Sequence, residues 1–251
     1  MKTIISVSIL LAVVTMLAIS IPASAANTDS RIESSAKRSY VFKTFLQGDD
    51  IKIHSTDGVV TLTGIVLEES HKALAQETVA GLPGVKSVDN MLEVKGDIPA
   101  KSSDAWLTTK VKMTLLFHRS VSAGRTDVDV HDGVVTLRGD TASEAQKELT
   151  TEYAKDVEGV KDVINEMIVK NNSKKTRTEG RKIDDASITA LVKMTLLYHR
   201  STSAINTKVE TNRGVVKLAG KAKNASEINL ATKFARDVNG VKSVDNRMTI
   251  E

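Results

Sequence analysis

The chain contains 251 residues, of which 41% are hydrophobic and 26% charged, a composition typical of globular protein and not of a disordered chain. It has no cysteine, which excludes disulfide bonds, thiolate metal sites, a cysteine nucleophile and a lipid-modified N-terminal cysteine. The formal net charge is +4 and only 3% of the residues are aromatic, so we expect an aliphatic core.

The N-terminus has the pattern of an export signal. Lys2 precedes an apolar run from Ile4 to Ile21, and Ala23-Ser24-Ala25 follows it. This order of basic, apolar and small residues predicts a signal peptide at 1–25, cleaved before Ala26. The alternative is an uncleaved anchor, since the run is nearly long enough to span a bilayer. No second run of that length follows, so we expect no transmembrane anchor after cleavage.

Two short motifs each occur three times along the chain. The first has the form Gly-Val-Val-x-Leu-x-Gly and occupies 58–64, 133–139 and 214–220. The second begins Gly-Val-Lys and occupies 84–90, 159–165 and 240–246. Because both motifs keep the same order and nearly the same spacing, the sequence predicts three tandem units of about 70 residues. We place these units at 31–98, 102–170 and 183–251, with a basic linker at 171–182.

Each unit has the pattern helix, strand, strand, helix, strand. In the second unit, Asp104 is a candidate N-cap of the first helix, and Asp132-Gly133 is a strong hairpin signal. A second helix is predicted over 144–157, ended by Gly159. The first two strands should be antiparallel, and a crossover helix can return the third strand in parallel. The sequence thus predicts an α+β protein of three αββαβ units, each a small mixed three-stranded sheet covered on one face by two helices.

The two repeated motifs and the amphipathic helix between them resemble the BON domain family. The resemblance covers about residues 31 to 251. It implies residence in the periplasm and a role in binding phospholipid or assisting envelope proteins during osmotic stress. It implies no catalytic site.

The residues themselves give no case for an enzyme, a cofactor or a metal site. No serine lies in a Gly-x-Ser-x-Gly or Ser-x-x-Lys context with a plausible partner. His118 and His199 occupy equivalent positions but lack a ligand one helical turn away, so we expect solvated, charged helix ends. Asn90, Asn165 and Asn246 share a strand face with apolar residues, so each is expected to be buried and hydrogen-bonded to an adjacent loop or helix.

Basic residues are the candidate contacts with anionic phospholipid. They cluster between the second and third units and on the flanks of two helices, at Lys170, Lys174, Lys175, Arg177, Arg181 and Lys182, and at Lys112, Arg119, Lys193 and Arg200. Clustered Lys and Arg attract anionic membranes. The alternative is that the cluster is only a solvated linker. Nucleic acid is not expected as a partner, because the chain is exported and has few aromatic residues on which bases could stack.

The sequence leaves several binding functions open. The protein could contact phospholipid surfaces through its basic flanks, or act as a holdase-like chaperone through apolar surface between units. It could also be an accessory part of a secretion or cell-wall assembly. Strong salt dependence of binding would favour phospholipid, and weak salt dependence would favour the chaperone.

Overall fold

A computed structural model describes residues 23–96, 100, 103–170, 182–202 and 207–251. Residues 1–22 of the predicted signal peptide and 171–181 of the predicted linker lie outside this part of the chain. The described residues form three repeats with the predicted order of elements. No helix among them is long and apolar enough to cross a bilayer.

The first repeat begins upstream of residue 31, where the sequence analysis places the first unit. It consists of α1 (Ala23–Arg38), α2 (Tyr40–Thr44), β1 (Asp50–Thr56), β2 (Val59–Val66), α3 (Glu69–Ala80) and β3 (Ser87–Val94).

The second and third repeats match each other element by element. The second consists of α4 (Asp104–Phe117), a short 3₁₀ turn (Ala123–Arg125), β4 (Thr126–His131), β5 (Val134–Thr141), α5 (Glu144–Lys155), β6 (Asp162–Asn165) and β7 (Ile168–Val169). The third consists of α6 (Asp185–Tyr198), β8 (Thr207–Asn212), β9 (Val215–Ala222), α7 (Ala225–Asp237), β10 (Ser243–Asn246) and β11 (Thr249–Ile250).

Every sheet has its second strand in the centre. In the first repeat, β2 pairs antiparallel with β1 and parallel with β3. The same arrangement holds around β5 and β9, which confirms the predicted mixed sheets. In the second repeat the third strand is divided into β6 and β7, and at the division the Asn165 side chain accepts the Met167 backbone N–H at 3.0 Å. Asn246 and Met248 repeat this contact at 2.9 Å between β10 and β11.

One face of each sheet supplies the core. Val135 and Leu137 on β5 are fully buried beneath the helices. Arg138, the next residue of the same strand, lies on the opposite face of the sheet and is exposed. Val60 and Leu62 in β2 and Val216 and Leu218 in β9 repeat this alternation. Fully burying one such side chain stabilises the fold by about 1.5–3 kcal/mol, so the aliphatic stripe explains why each sheet keeps its helices on one side.

The hairpin turns are tied to the first helix of each repeat. Asp132 and Gly133 have φ of 50° and 80°, the two positive values of a type I′ turn, as the hairpin prediction requires. The Asp104 carboxylate accepts the backbone N–H of both residues, at 2.8 and 2.9 Å. The prediction that Asp104 is the N-cap is therefore wrong: Ser103 caps α4, because the Asp104 side chain turns to the hairpin instead.

The second helix of the middle repeat ends earlier than predicted. α5 ends at Lys155 and Asp156 is its C-cap, so Gly159 lies in the connection to β6 and does not cap the helix. α3 of the first repeat ends at the equivalent residue, Ala80. Beyond the end of α5, Val157 pairs with His199 of the third repeat as an isolated β-bridge.

Candidate binding site at the junction of the repeats

The structure describes six of the ten basic residues that the sequence predicts as contacts with phospholipid. Lys170 pairs with Asp140 at 2.8 Å on the sheet of its own repeat. Lys193 pairs at 2.7 Å with Glu77 on α3 of the first repeat. Lys112 and Lys182 are exposed and form no ion pair within the described ranges. The remaining linker residues lie outside those ranges, namely Lys174, Lys175, Arg177 and Arg181.

Arg119 and Arg200 connect the second and third repeats. The Arg119 guanidinium donates to the backbone oxygen of Val241 at 3.0 Å and lies 3.7 Å from the Asp237 carboxylate. Arg200 lies 3.6 Å from Asp156 in the equivalent position of the other repeat. The two repeats thus meet about an approximate two-fold axis, and the contact between arginine and aspartate occurs twice with the roles of the repeats exchanged.

Two buried histidines lie at the centre of this interface. His118 and His199 are 2% and 1% exposed, and their Nε2 atoms are 3.1 Å apart. The Nδ1 atom of His118 contacts Asp237 at 3.1 Å, and that of His199 contacts Asp156 at 3.0 Å. The prediction of solvated helix ends is therefore wrong. The helices do end at these residues, but the neighbouring repeat covers both of them.

Burial and hydrogen bonding set the charges of this cluster. Desolvation lowers the pKa of His118, although its hydrogen bond to Asp237 acts in the opposite direction. Burial alone would raise the pKa of Asp237, but hydrogen bonds from His118, Ser120 and Tyr153 outweigh it, so the pKa is lowered. The Tyr153 ring stacks on His118 with centroids 3.9 Å apart, and burial beside Asp237 raises the pKa of its hydroxyl. These groups form a structural network.

The repeated asparagines hold the third strand against the second helix. Asn165 donates to the Lys147 backbone oxygen at 3.0 Å and to the Thr151 hydroxyl at 2.8 Å. Asn246 makes the same pair of contacts with α7, and Asn90 does so with α3. The predicted hydrogen-bonded bridge is confirmed, but the three side chains are half-buried where full burial was expected.

A cavity of about 640 Å³ lies where the three repeats meet. Its walls come from the start of α3, the end of β3, α4 and α6, and most of them are apolar. The charged side chains on these walls are of both signs, at Glu68, Glu69, Lys72, Lys95 and Lys110. Its volume is in the range of about 300–1,000 Å³ that is usual for ligand sites.

Lys110 is the most unusual side chain in the cavity wall. It is only 6% exposed, and its Nζ atom lies 4.4 Å from the ring centroid of Trp106 and 5.6 Å from that of Tyr198. Glu158 contacts the same amine at 3.3 Å, but the Glu158 side chain is 73% exposed. Desolvation lowers the pKa of Lys110, partly offset by Glu158. The aromatic faces stabilise the ammonium group within an apolar cavity.

Leu197 connects this cavity to two adjoining depressions. It is 47% exposed and also lines depressions of about 310 Å³ beside α3 and about 420 Å³ beside α7. We call the three together the junction groove. Its Leu197 side chain is an exposed apolar group at the point where the three depressions meet, so the groove can receive an extended apolar ligand.

Sequence reasoning missed the junction groove. One signal was available: Lys110 occupies the position that Leu191 has in the third repeat, on the apolar stripe of the helix. A lysine at a position that is leucine in the equivalent helix indicates either a buried charge with a partner or a binding site. Within the part of the chain that the structure describes, no group of three or more histidine, aspartate or glutamate residues could hold a metal ion.

Comparisons with known proteins agree with the three repeats. The BON domain model matches residues 28–96, 103–171 and 184–251. The chain is 32% identical over 196 residues to the osmotically-inducible protein Y of Escherichia coli, covering 78% of this chain and 95% of that protein. It is 34% identical over 112 residues to the outer membrane lipoprotein DolP of Haemophilus influenzae, covering 44% of this chain and 58% of that protein.

A solved structure of CdsD, a structural protein of the type III secretion system of Chlamydia trachomatis, aligns with 87% of this chain and 91% of its own. The TM-score is 0.24 at 16% identity, which is too low to support an argument. The family model, in contrast, matches most of the chain in three copies, and each copy coincides with one of the observed αββαβ repeats. Together with the similarity to the osmotically-inducible protein Y, this shows that the chain belongs to the BON domain family.

Proposed function

We propose that this protein is a non-enzymatic binding protein of the periplasm that holds apolar segments of envelope proteins in the junction groove. The observation that carries the proposal is the position of Leu197, which is exposed and shared by three adjoining depressions. Solvent-exposed apolar side chains in a groove of this kind are typical of interaction sites. The name of the Escherichia coli relative suggests that the binding serves protection during osmotic stress.

The charges of the groove support a polypeptide in preference to an anionic membrane. Glu68 and Glu69 lie on the same walls as Lys72, Lys95 and Lys110, so the groove has no large excess of positive charge. Arg119 and Arg200, which were expected to face phospholipid, are engaged with Asp237 and Asp156 across the repeat interface. Binding in the groove should therefore depend mainly on apolar contact and only weakly on salt.

Anionic phospholipid is the second candidate partner. Lys112 and Lys182 are exposed and lack ion pairs within the described ranges, and four further basic residues belong to the linker between the repeats. Each Lys or Arg near an anionic membrane contributes about 1 kcal/mol, and salt screens this attraction. Cosedimentation with phosphatidylglycerol vesicles at low and high salt separates this candidate from the first.

The proposal is tested by replacing Leu197 with glutamine. Leu116 provides a matched control, because it occupies the equivalent position in α4, is 38% exposed, and is not among the lining residues of the three depressions. We expect Leu197→Gln to weaken binding of a fluorescein-labelled peptide rich in Leu and Phe by about tenfold, through loss of apolar burial, as measured by fluorescence anisotropy. Leu116→Gln should leave the affinity unchanged. Equal effects of the two substitutions would contradict the proposal.

A further inference from the structure

The amine of Lys110 has an incomplete set of partners. Lysine carries three N–H donors, and within the described residues the Lys110 amine makes one hydrogen bond, to Glu158 at 3.3 Å. The other neighbours of the amine are the faces of Trp106 and Tyr198, which accept no conventional hydrogen bond. A buried ammonium with one long contact is costly to maintain, because burial disfavours its charge.

Glu158 is well placed to be displaced from this contact. It lies in the connection after α5, its side chain is 73% exposed, and it reaches Lys110 from the solvent side. An ion pair with so exposed a partner contributes little to stability. A carboxylate that entered from the junction groove could therefore take over the amine while Glu158 returned to solvent.

We propose that Lys110 binds a carboxylate of the polypeptide segment held in the junction groove, at the segment's C-terminus or on an acidic side chain beside apolar residues. The inference rests on the proposed function and specifies its ligand. Trp106, Met194 and Tyr198 surround the amine with apolar surface, so the carboxylate must be adjacent to apolar groups. Glu68 and Glu69 line the first-repeat side of the same cavity together with Lys72 and Lys95, so that side has no excess of positive charge for a second acidic group. The ligand is thus an apolar segment with one carboxylate.

The test uses the full-length mature protein and two labelled peptides of the same Leu- and Phe-rich sequence, one with a free C-terminal carboxylate and one with a carboxamide. A charge-assisted hydrogen bond in a buried site should make the acid bind about tenfold or more tightly than the amide. Lys110→Met removes the charge but keeps an apolar side chain of similar length. We expect it to abolish the preference for the acid, so that the ratio of acid to amide affinity falls to about one.

A second variant leaves Lys110 in place. Glu158→Gln removes the competing carboxylate from an exposed position, so the protein should fold normally and the ratio of acid to amide affinity should rise above that of the wild type. An amidated peptide with a final glutamate distinguishes the two sources of the carboxylate: it regains the tighter binding only if a side-chain carboxylate is accepted.

The outcomes separate this inference from the proposed function. Suppose that the wild type binds the amide in a manner that depends on Leu197 but binds the acid no more tightly. The proposed contact between Lys110 and a carboxylate is then wrong, whereas the proposed function of the junction groove stands. If neither peptide binds, or binding ignores Leu197→Gln, the proposed function fails. An acid preference that persists in Lys110→Met would place the carboxylate contact elsewhere and overturn the inference.

Discussion

At the scale of single residues, the close contact between the imidazole rings of His118 and His199 limits how many hydrogen atoms their ring nitrogens can carry. Both Nδ1 atoms face carboxylate oxygens of Asp237 and Asp156, so each carries a hydrogen. The Nε2 atoms are 3.1 Å apart, which leaves room for at most one hydrogen between them. A second hydrogen there would place two N–H donors against each other. The packed pair therefore has room for one hydrogen fewer than two fully protonated imidazole rings carry.

This limit predicts that the interface between the second and third repeats weakens in acid. Burial lowers the pKa of His118 in the folded protein, so below the unfolded value of about 6.5 the unfolded chain binds more protons and stability falls with pH. Five other charged or titratable side chains also face the two histidines, those of Asp156, Asp237, Tyr153, Arg119 and Arg200. The pKa of each aspartate is lowered, but this affects stability only in stronger acid. For one proton, the free energy of unfolding should fall by up to about 1.4 kcal/mol per pH unit.

Urea unfolding measured between about pH 6.5 and 5 checks this prediction. The double variant His118→Gln and His199→Gln should be less stable near neutral pH, yet its stability should vary less over this interval than that of the wild type. His131→Gln is the control, since the His131 side chain is 89% exposed and should show the wild-type dependence. A wild-type stability that did not fall in this interval would rule out the hydrogen count given above.

At the scale of elements, the hairpins of the first and second repeats depend on close approach of two backbones. Gly139 on β5 has φ of 121°, and a Cβ built at this position would lie 2.0 Å from the backbone oxygen of Arg125. Gly64 on β2 has the same environment, with 2.0 Å to the backbone oxygen of Asp50. A side chain here would separate the first two strands at the edge of the sheet.

We expect Gly139→Ala to destabilise the second repeat by about 2 kcal/mol or more, through steric overlap and backbone strain. Gly124→Ala is the matched control, because a Cβ at Gly124 would meet nothing within 4 Å. The control should change the free energy of unfolding by less than about 0.5 kcal/mol. Denaturant midpoints of the two variants give the comparison, and similar midpoints would show that β4 can move away from Gly139 at little cost.

Within each repeat, the sequence was sufficient to predict the order of elements and the sheet topology. Alternating valine and leucine in β5 and the turn at Asp132-Gly133 encode local geometry, so periodicity and turn chemistry identify them. The burial of His118 and the cavity at Lys110 depend on which surfaces of different repeats come into contact. The periodicity of apolar residues within one repeat does not indicate those surfaces. Asp104 was assigned to a helix cap because capping is read from neighbouring residues, whereas its carboxylate binds a hairpin about 28 residues later in the same repeat.

At the scale of the whole molecule, α6 is the element on which all three repeats converge. Eleven of its fourteen residues are buried, compared with seven in α4, because α6 contacts its own sheet as well as α3 and α4. Asp184, its N-cap, accepts the backbone N–H of Tyr40 at 2.8 Å, and Ser187 accepts that of Val41 at 3.1 Å. A helix that is apolar on nearly all sides requires cover on all of them.

This arrangement predicts that the third repeat is not an independent unit. A fragment comprising 184–251 contains its own sheet and helices, so we expect it to keep secondary structure by circular dichroism. It would expose the α6 residues that the other repeats cover, among them Met194 and His199, and should therefore be less stable than the full chain by at least about 2 kcal/mol.

A longer fragment makes this comparison specific. Residues 103–251 restore the histidine interface with the second repeat but still lack α3, so this fragment should have a urea midpoint between those of the short fragment and the full chain. Binding of a hydrophobic dye should fall in the same order, as more of α6 is covered. If the short fragment unfolded at the same urea concentration as the full chain, the contacts between repeats would contribute no stability. The junction groove would then be a loose contact between independent domains, and its shape could not be maintained for a ligand.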